Sequence, residues 1–410
     1  MAQLVEQRIR NAQAVGSSPT SSSRKHLMQS VGCFFTERNG DKMAKIKSFI
    51  KNEIVLIISF ILAAASAFIV MPNAEYIDYI DFRTLALLLC LMAVMAGLNG
   101  LGIFRLLASK LLRLAGTTRS LTLWLCMLCF FSSMIITNDV ALITFVPFSI
   151  VALKLSGCEK LLIPLVTLET VAANLGSMLT PVGNPQNLYL FSAFNMTIGD
   201  FFITVLPYAS LSLMLLIVSA FFIKKEKINI ASEEKADKIN VGFCAIYAVL
   251  FAVSILTVFR VIPYGITLAV SVTAILVFDK KALMKVDYSL LLTFIFLFIF
   301  IGNLKNIGAV NEFLSKTVNG NEVLAGIAAS QIISNVPAAL LLSGFTDNIK
   351  NLLVGVNLGG LGTLIASMAS LISFKLVAKE NISSGRYILI FSAVNIIFLA
   401  FNAALWIAVR

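Results

Sequence analysis

Asparagine, glycine and proline recur in this sequence where an apolar helix has least use for them. The run Asn174-Leu175-Gly176-Ser177-Met178-Leu179-Thr180-Pro181-Val182-Gly183-Asn184-Pro185-Gln186-Asn187 lies inside an apolar stretch. Pro181 and Pro185 lack amide donors and clash with the preceding turn, while Gly176 and Gly183 tolerate unwound backbone. The run Asn357-Leu358-Gly359-Gly360-Leu361-Gly362-Thr363 repeats the logic with glycine alone. Neither run reads as regular helix. In lipid such a break leaves backbone groups unsatisfied at several kcal/mol each, so it belongs beside a wet cavity or an ion site. Two more polar centres, Thr137-Asn138-Asp139 and Ser334-Asn335-Val336-Pro337, stand where apolar stretches turn back. A hairpin tip that faces an unwound span supplies converging helix ends. Their free N–H groups suit an anionic oxygen; their free carbonyls and the side-chain oxygens of Asn138 and Asn335 suit a small cation such as Na⁺.

Two acids share these stretches: Asp139 beside the first tip, and Glu169 five residues before Asn174. Ionisable groups are costly there and are by default candidates to bind a coupling cation or to carry a proton. The plain alternatives are a capping role for Asp139 and a paired packing role for Glu169. No Arg or Lys lies deep in an apolar run, so an anion would be held by helix ends, hydroxyls and a bound cation. Five of the six cysteines lie in or beside apolar runs and read as small fillers; Cys126-x-x-Cys129 has no second pair and no nearby histidine. The single histidine, His26, lies outside the apolar region, which excludes a histidine relay or metal site within it. No metalloprotease helix motif, Walker loop or nucleophile–base–acid set is present, so no enzyme and no organic or metal cofactor is expected.

The elements that position these residues follow from composition. Of 410 residues 59% are hydrophobic and 13% charged, with a mean hydropathy of +0.92. A water-soluble surface needs roughly 25% charge, so the chain reads as an all-α polytopic membrane protein with lipid as its surroundings. The net charge of +11 then reflects basic residues on one side of a bilayer, and no nucleic acid is implied. Runs 54–71, 84–104, 201–223, 239–259, 261–278, 288–304 and 387–409 have the length of a crossing. Runs 161–190 and 351–374 are long enough but broken, and 120–153 and 323–346 fold back as re-entrant helical hairpins. The expectation is about nine transmembrane crossings plus two hairpins. With the start of 54–71 inside, 21 Lys and Arg fall on the cytoplasmic side, six outside and five in the N-terminal segment, as the positive-inside rule requires. The N-terminus is therefore expected in the cytoplasm.

Residues 1–42 are polar, with a low-complexity run from Ser17 to Ser23, and read as a disordered tail; Met43 reads as a second start. Residues 43–79 hold the first span. Residues 80–223 form repeat one, in the order span, hairpin, broken span, closing span. Residues 224–238 are a cytoplasmic loop, 239–285 hold two spans, and 286–410 form repeat two. Asp81 matches Asp287, Ile136-Thr137-Asn138 matches Ile333-Ser334-Asn335, and Val171-x-x-Asn174-Leu175-Gly176-x-x-x-Thr180 matches Val354-x-x-Asn357-Leu358-Gly359-x-x-x-Thr363. Five crossings separate the two acids, so the halves are expected to be inverted in topology. That arrangement is typical of secondary carriers, whose site lies near the midplane. Residues 103–119, with four basic residues, are expected to lie along the cytoplasmic interface.

Thr137-Asn138-Asp139-Val140-Ala141-Leu142, Ala173-Asn174-Leu175-Gly176 through Gly183-Asn184-Pro185-Gln186-Asn187, Ser334-Asn335-Val336-Pro337 and Gly355-Val356-Asn357-Leu358-Gly359-Gly360 together resemble the ion transporter superfamily. The similarity is to its citrate-transporter-like and arsenite-permease-like branch, related to divalent anion–sodium symporters, and covers residues 50–410. The resemblance implies scaffold and transport domains, a homodimer and elevator-type movement in an inner cell membrane. It implies that Asn138 and Asn335 ligate cation and substrate, with Gly176, Thr180 and Thr363 in the unwound segments. Combined with the reading above, the expected substrate residues are Thr137, Asn138, Thr180, Asn184, Ser334, Asn335 and Thr363. The expected coupling residues are Asn138, Asp139, Glu169, Gly176, Asn335, Gly359 and Gly360, for Na⁺ or H⁺. The dicarboxylate branch carries Ser-Asn-Thr at each tip. Asp139 and Val336 depart from it, which keeps arsenite efflux and sodium/proton exchange open beside citrate-like or oxyanion symport.

Overall fold

The structure is a computed structural model and describes residues 53–104, 106, 115–228, 240–380 and 382–409. The expected tail, the middle of the 103–119 stretch and most of the 224–238 loop lie outside them. Residues 59–410 form one packed unit; of the chain before it, residues 53–58 are described.

Helices are placed where caps and apolar runs coincide. They run in order α1 (Ile54–Ala67), α2 (Phe82–Gly100), α3 (Thr118–Ile136), α4 (Asn138–Leu155), α5 (Leu162–Ser177), α6 (Pro185–Ala193), α7 (Ile198–Phe221) and α8 (Val241–Val258). Then come α9 (Tyr264–Phe278), α10 (Tyr288–Lys305), α11 (Gly308–Val318), α12 (Glu322–Ile333), α13 (Asn335–Ser343), α14 (Ile349–Leu358), α15 (Met368–Val377) and α16 (Ser384–Val409). Among the described residues the only strand-like pairing is a bridge between Thr117 and Lys227. Helices α2, α3, α4, α7, α8, α10 and α16 are long and apolar enough to cross a membrane. On α16 the buried residues Tyr387, Phe391, Asn395, Phe398, Asn402 and Trp406 form one stripe. Leu389, Ile397 and Ile407 stay exposed on the same helix, a surface that lipid accepts and water does not. The chain is an all-α polytopic membrane protein.

The sequence repeat is also a geometric one. Asp81 and Asp287 cap α2 and α10 with the same backbone angles, φ −79° and ψ 85°, each accepting from the amide three residues on. Thr137 (φ 69°, ψ 153°) and Ser334 (φ 71°, ψ 156°) each separate two helices that pack on one another. A single residue with positive φ ends one arm and starts the next, which leaves no room for a loop. The hairpins differ in reach. The arms of the first, 19 and 18 residues, each have the length of a crossing, whereas those of the second have 12 and 9.

The first break is shorter than the sequence suggested, and the second is displaced towards the C-terminus. Asn174 to Ser177 remain helical, as do Asn357 and Leu358, and Pro185 to Asn187 already belong to α6. Pro185 occupies the first helical position, where a missing amide costs nothing, so it starts a helix where it was expected to prevent one. The unwound segments are 178–184 and 359–367, the latter holding one 3-10 turn, Leu364–Ala366. Matched glycines bring each broken span against the first arm of its own hairpin. A Cβ on Gly176 would lie 2.1 Å from the Phe130 carbonyl oxygen, and one on Gly359 2.5 Å from Ser330 Oγ.

The Gly176 contact is with backbone, which cannot swing aside. Gly176→Ala should therefore destabilise the purified protein by about 1–3 kcal/mol, read as a lower thermal unfolding midpoint in detergent. An unchanged midpoint would mean that α3 and α5 are not packed this closely.

Candidate functional site

The tips and breaks converge on a cluster of carboxamides. Asn138 Nδ2 donates to Asn174 Oδ1 at 3.0 Å, and Asn174 Nδ2 donates to the Gly360 carbonyl at 3.4 Å. A Cβ on Gly360 would come within 3.1 Å of Asn335 Nδ2, so the second tip reaches the same carbonyl-rich turn. Asn357 Nδ2 donates to Asn187 Oδ1 at 2.7 Å. All of these asparagines are buried. Each tip is also tied to the unwound segment of its own repeat. The Asn138 amide donates to the Gly183 carbonyl at 3.3 Å, and Ser334 Oγ to the Ala366 carbonyl at 3.5 Å.

The two repeats exchange bonds. Ser367 Oγ, from the second break, donates to Asn174 Oδ1 of the first span at 3.1 Å. Asn184 Nδ2, from the first break, donates to Asn357 Oδ1 of the second at 3.5 Å. Asn184 and Ser367 occupy matched positions and have nearly the same extended backbone, φ −144° and −143°. The contact is therefore reciprocal: each unwound segment uses one polar side chain to hold the asparagine of the other span. The unwound backbone is satisfied in a similar way. Asn187 Nδ2 donates to the Ser177, Met178 and Thr180 carbonyls at 3.3, 3.4 and 3.3 Å. Gln331 Nε2 donates to the Gly359 and Leu361 carbonyls at 2.9 Å each, and its Oε1 accepts from the Thr363 amide at 2.9 Å.

Chemically the centre offers the first turn of α13, where the Asn335 and Val336 amides lack intrahelical partners, and that of α4, where the Asn138 amide is on the Gly183 carbonyl and the Asp139 amide on Asn138 Oδ1, beside carbonyls and amide oxygens. Two buried oxygens there have no partner, Asp139 Oδ1 and Asn184 Oδ1. They sit on the two segments joined by the Asn138–Gly183 bond. Orphaned buried oxygens mark a place for a cation or a water. Two cavities of about 630 and 650 Å³ lie elsewhere, one beside Lys225 and Lys227, the other beside Asp200 and Lys350.

Of the residues singled out from sequence, Asn138, Asn184, Ser334, Asn335 and Gly360 meet in this cluster, with Gly176 and Gly359 packing its walls. Asp139 stands at its edge, and Thr137 is half-buried at the turn. The Thr180 hydroxyl donates to the Met134 carbonyl, fastening the break to the first hairpin. Thr363 is exposed, with its amide held by Gln331. No hydrogen bond joins Glu169 to the carboxamides among the described residues; its partner is Ser149. Sequence reasoning left Asn174, Asn187, Asn357, Ser367 and Gln331 off the site. Asn174 and Asn357 carried a signal, being identical at matched positions, and Ser367 carried a weaker one as the match of Asn184. Gln331 carried none, because its match is Met134.

An all-α, multi-pass membrane protein with paired broken helices and two hairpin tips on one buried polar cluster has the form of a carrier. Sequence comparison supplies the family: residues 46–368 match the citrate transporter family, and the chain belongs to it. The uncharacterized transporter MJ0456 of Methanocaldococcus jannaschii is 38% identical over 68% of this chain and 77% of its own length. Inner membrane protein YbiR of Escherichia coli is 30% identical over 68% of this chain and 76% of its own.

Asn174→Ala removes the acceptor of both Asn138 Nδ2 and Ser367 Oγ. Two buried donors left unpaired cost about 1–3 kcal/mol each. A lowered unfolding midpoint is expected, coupled with Ser367→Ala in a double-mutant cycle. Strict additivity of the two substitutions would show that this bond is not made.

Proposed function

We propose that this member of the citrate transporter family is an ion-coupled secondary transporter of small anions, citrate-like, dicarboxylate or oxyanion, moving them by an elevator-type mechanism. The observation that carries the reading is the reciprocal pair Ser367–Asn174 and Asn184–Asn357. It draws two unwound, polar, buried segments together where two helix N-termini also end. Anionic oxygens take the first-turn amides of α13 and α4 that have no protein acceptor, together with the hydroxyls of Thr137 and Ser334. A coupling cation, Na⁺ or H⁺, takes the oxygen side of Asn138, Asn335, Asn184 and the Gly359–Gly360 turn. Its charge replaces the missing Arg or Lys clamp. Asp139 is the preferred coupling acid, because its Oδ1 is buried and unpartnered.

The repeats are inverted with respect to the membrane, on the charge count and the five crossings between Asp81 and Asp287. α2, α8, α9 and α10 belong to the scaffold; both hairpins and both broken spans move together. The protein acts as a homodimer in an inner cell membrane, with its N-terminus in the cytoplasm. The name of the bacterial relative supports that location.

Asp139 also favours a second reading, sodium/proton exchange, in which that acid alternates between the two ions. The departure at Val336 leaves arsenite efflux beside it. Uptake of labelled citrate, succinate, sulfate and arsenite into proteoliposomes under imposed Na⁺ and pH gradients separates these. Anion flux that follows a cation gradient is expected, with Asn138→Ala and Asn335→Ala each abolishing flux while the protein still inserts. Sodium-driven proton movement without anion flux would replace the symport reading by the exchanger. Asp139→Asn should change the ion dependence of uptake far more than the substrate KM; the reverse would remove Asp139 from coupling.

A further inference from the structure

Glu169 is fully buried on α5 and takes no part in the carboxamide cluster. One of its oxygens has a partner: Ser149 Oγ, on α4, donates to Oε1, while Oε2 has none. The titratable groups that face it are Cys126 and Cys129 of α3 and Tyr387 of α16, all buried. α4 brings the Ser149 hydroxyl to it. No ion pair to Glu169 occurs among the described residues; Lys154, five residues beyond Ser149 on α4, is taken by Glu380.

An ionised carboxylate with one hydrogen bond and no counter-ion is far more costly inside a membrane protein than the neutral acid. A resident cation would offset the charge, but a hard cation asks for several oxygen ligands, and two of the neighbours are thiols. No cluster of three metal-ligating side chains occurs among the described residues. The neutral acid fits the geometry: Oε1 is the carbonyl that accepts from Ser149, and Oε2 carries the hydrogen. Five residues of helix separate Ser149 from the Lys154–Glu380 pair, roughly 7–8 Å, so the acid lies within two turns of a charged helix end.

We propose that Glu169 is a proton-binding site in its own right, separate from the carboxamide centre. It holds its proton beside Ser149 and exchanges it with water at the face marked by Lys154 and Glu380. On release, the Oε2–H bond breaks heterolytically, water at that face takes the proton, and the carboxylate left behind keeps the Ser149 hydrogen bond. Because Glu169 and Asn174 share α5, loading the acid and loading the centre concern one rigid helix. What the proton does for transport rests on the carrier reading above; the existence of the acid does not.

Infrared spectra of the purified protein in lipid nanodiscs test the acid directly. A carboxylic-acid C=O band is expected in the wild type, absent in Glu169→Gln and shifted to higher frequency in Ser149→Ala, which removes the donor to the carbonyl. No such band, a band that survives Glu169→Gln, or a band indifferent to Ser149→Ala would overturn the proposal. So would a band lost only in Asp139→Asn, which would place the proton at the hairpin tip. In proteoliposomes Glu169→Gln should bring the ratio of uptake with and without an inward proton gradient down to unity, while substrate exchange at zero gradient continues. A ratio unchanged from wild type would overturn the coupling role. The infrared result without transport of any offered anion would leave Glu169 standing and remove the anion reading instead.

Discussion

Unwound backbone inside a low-dielectric membrane protein must find hydrogen-bond partners, and the whole centre of this structure is arranged by that requirement. Residues 178–184 and 359–367 leave the helical ladder. Their carbonyls are taken up by side chains: Asn187 for the first segment, Gln331 for the second. Carboxamides suit the task because one group both donates and accepts while carrying no charge. A charged residue in the same place would meet the geometry but would add a desolvation cost that nothing nearby offsets.

Tight packing and polarity serve the same end. Gly176 and Gly359 let each broken span lie directly on the first arm of its hairpin, where any Cβ would collide. That closeness sets the register between tip and break, so that Asn138 meets Gly183 and Ser334 meets Ala366. The cross-repeat bonds from Ser367 and Asn184 then fix the two halves against each other. A polar centre made this way satisfies most of its own groups. Two of its oxygens, Asp139 Oδ1 and Asn184 Oδ1, have no hydrogen-bond partner, which is the reason the proposed cation is placed beside them.

Membership in the citrate transporter family places these features in a transporter but leaves the cargo to the chemistry of the centre. Among the described residues the centre has no Arg or Lys, which sets it apart from sites that clamp carboxylates directly. On the proposed reading helix N-termini and hydroxyls serve as anion ligands, and their reach is short. Selectivity would then rest on the spacing of the two tips and on the ion bound between them. On α5, Glu169 faces thiols and hydroxyls and makes no ion pair among the described residues, so its environment differs in kind from that of Asp139 on α4.

Much was written in the chain itself. Composition demanded lipid surroundings, because 13% charge cannot cover a water-facing surface. Period and length placed the spans, and Asp81 with Asp287, Thr137 with Ser334 and Asn174 with Asn357 announced the repeat, since local backbone needs recur with local residue types. Local signals overstated the first break: Pro185 starts α6, because a helix tolerates proline in its first turn. What only tertiary structure decided is which polar groups meet. Ser367 lies 193 residues from Asn174, and Gln331 matches a methionine in the other repeat, so no local pattern marks either one. The same holds for Thr180, whose hydroxyl turns to the Met134 carbonyl. Hydrogen-bond partners across such separations are fixed by how the helices pack, and packing is a property of the folded whole.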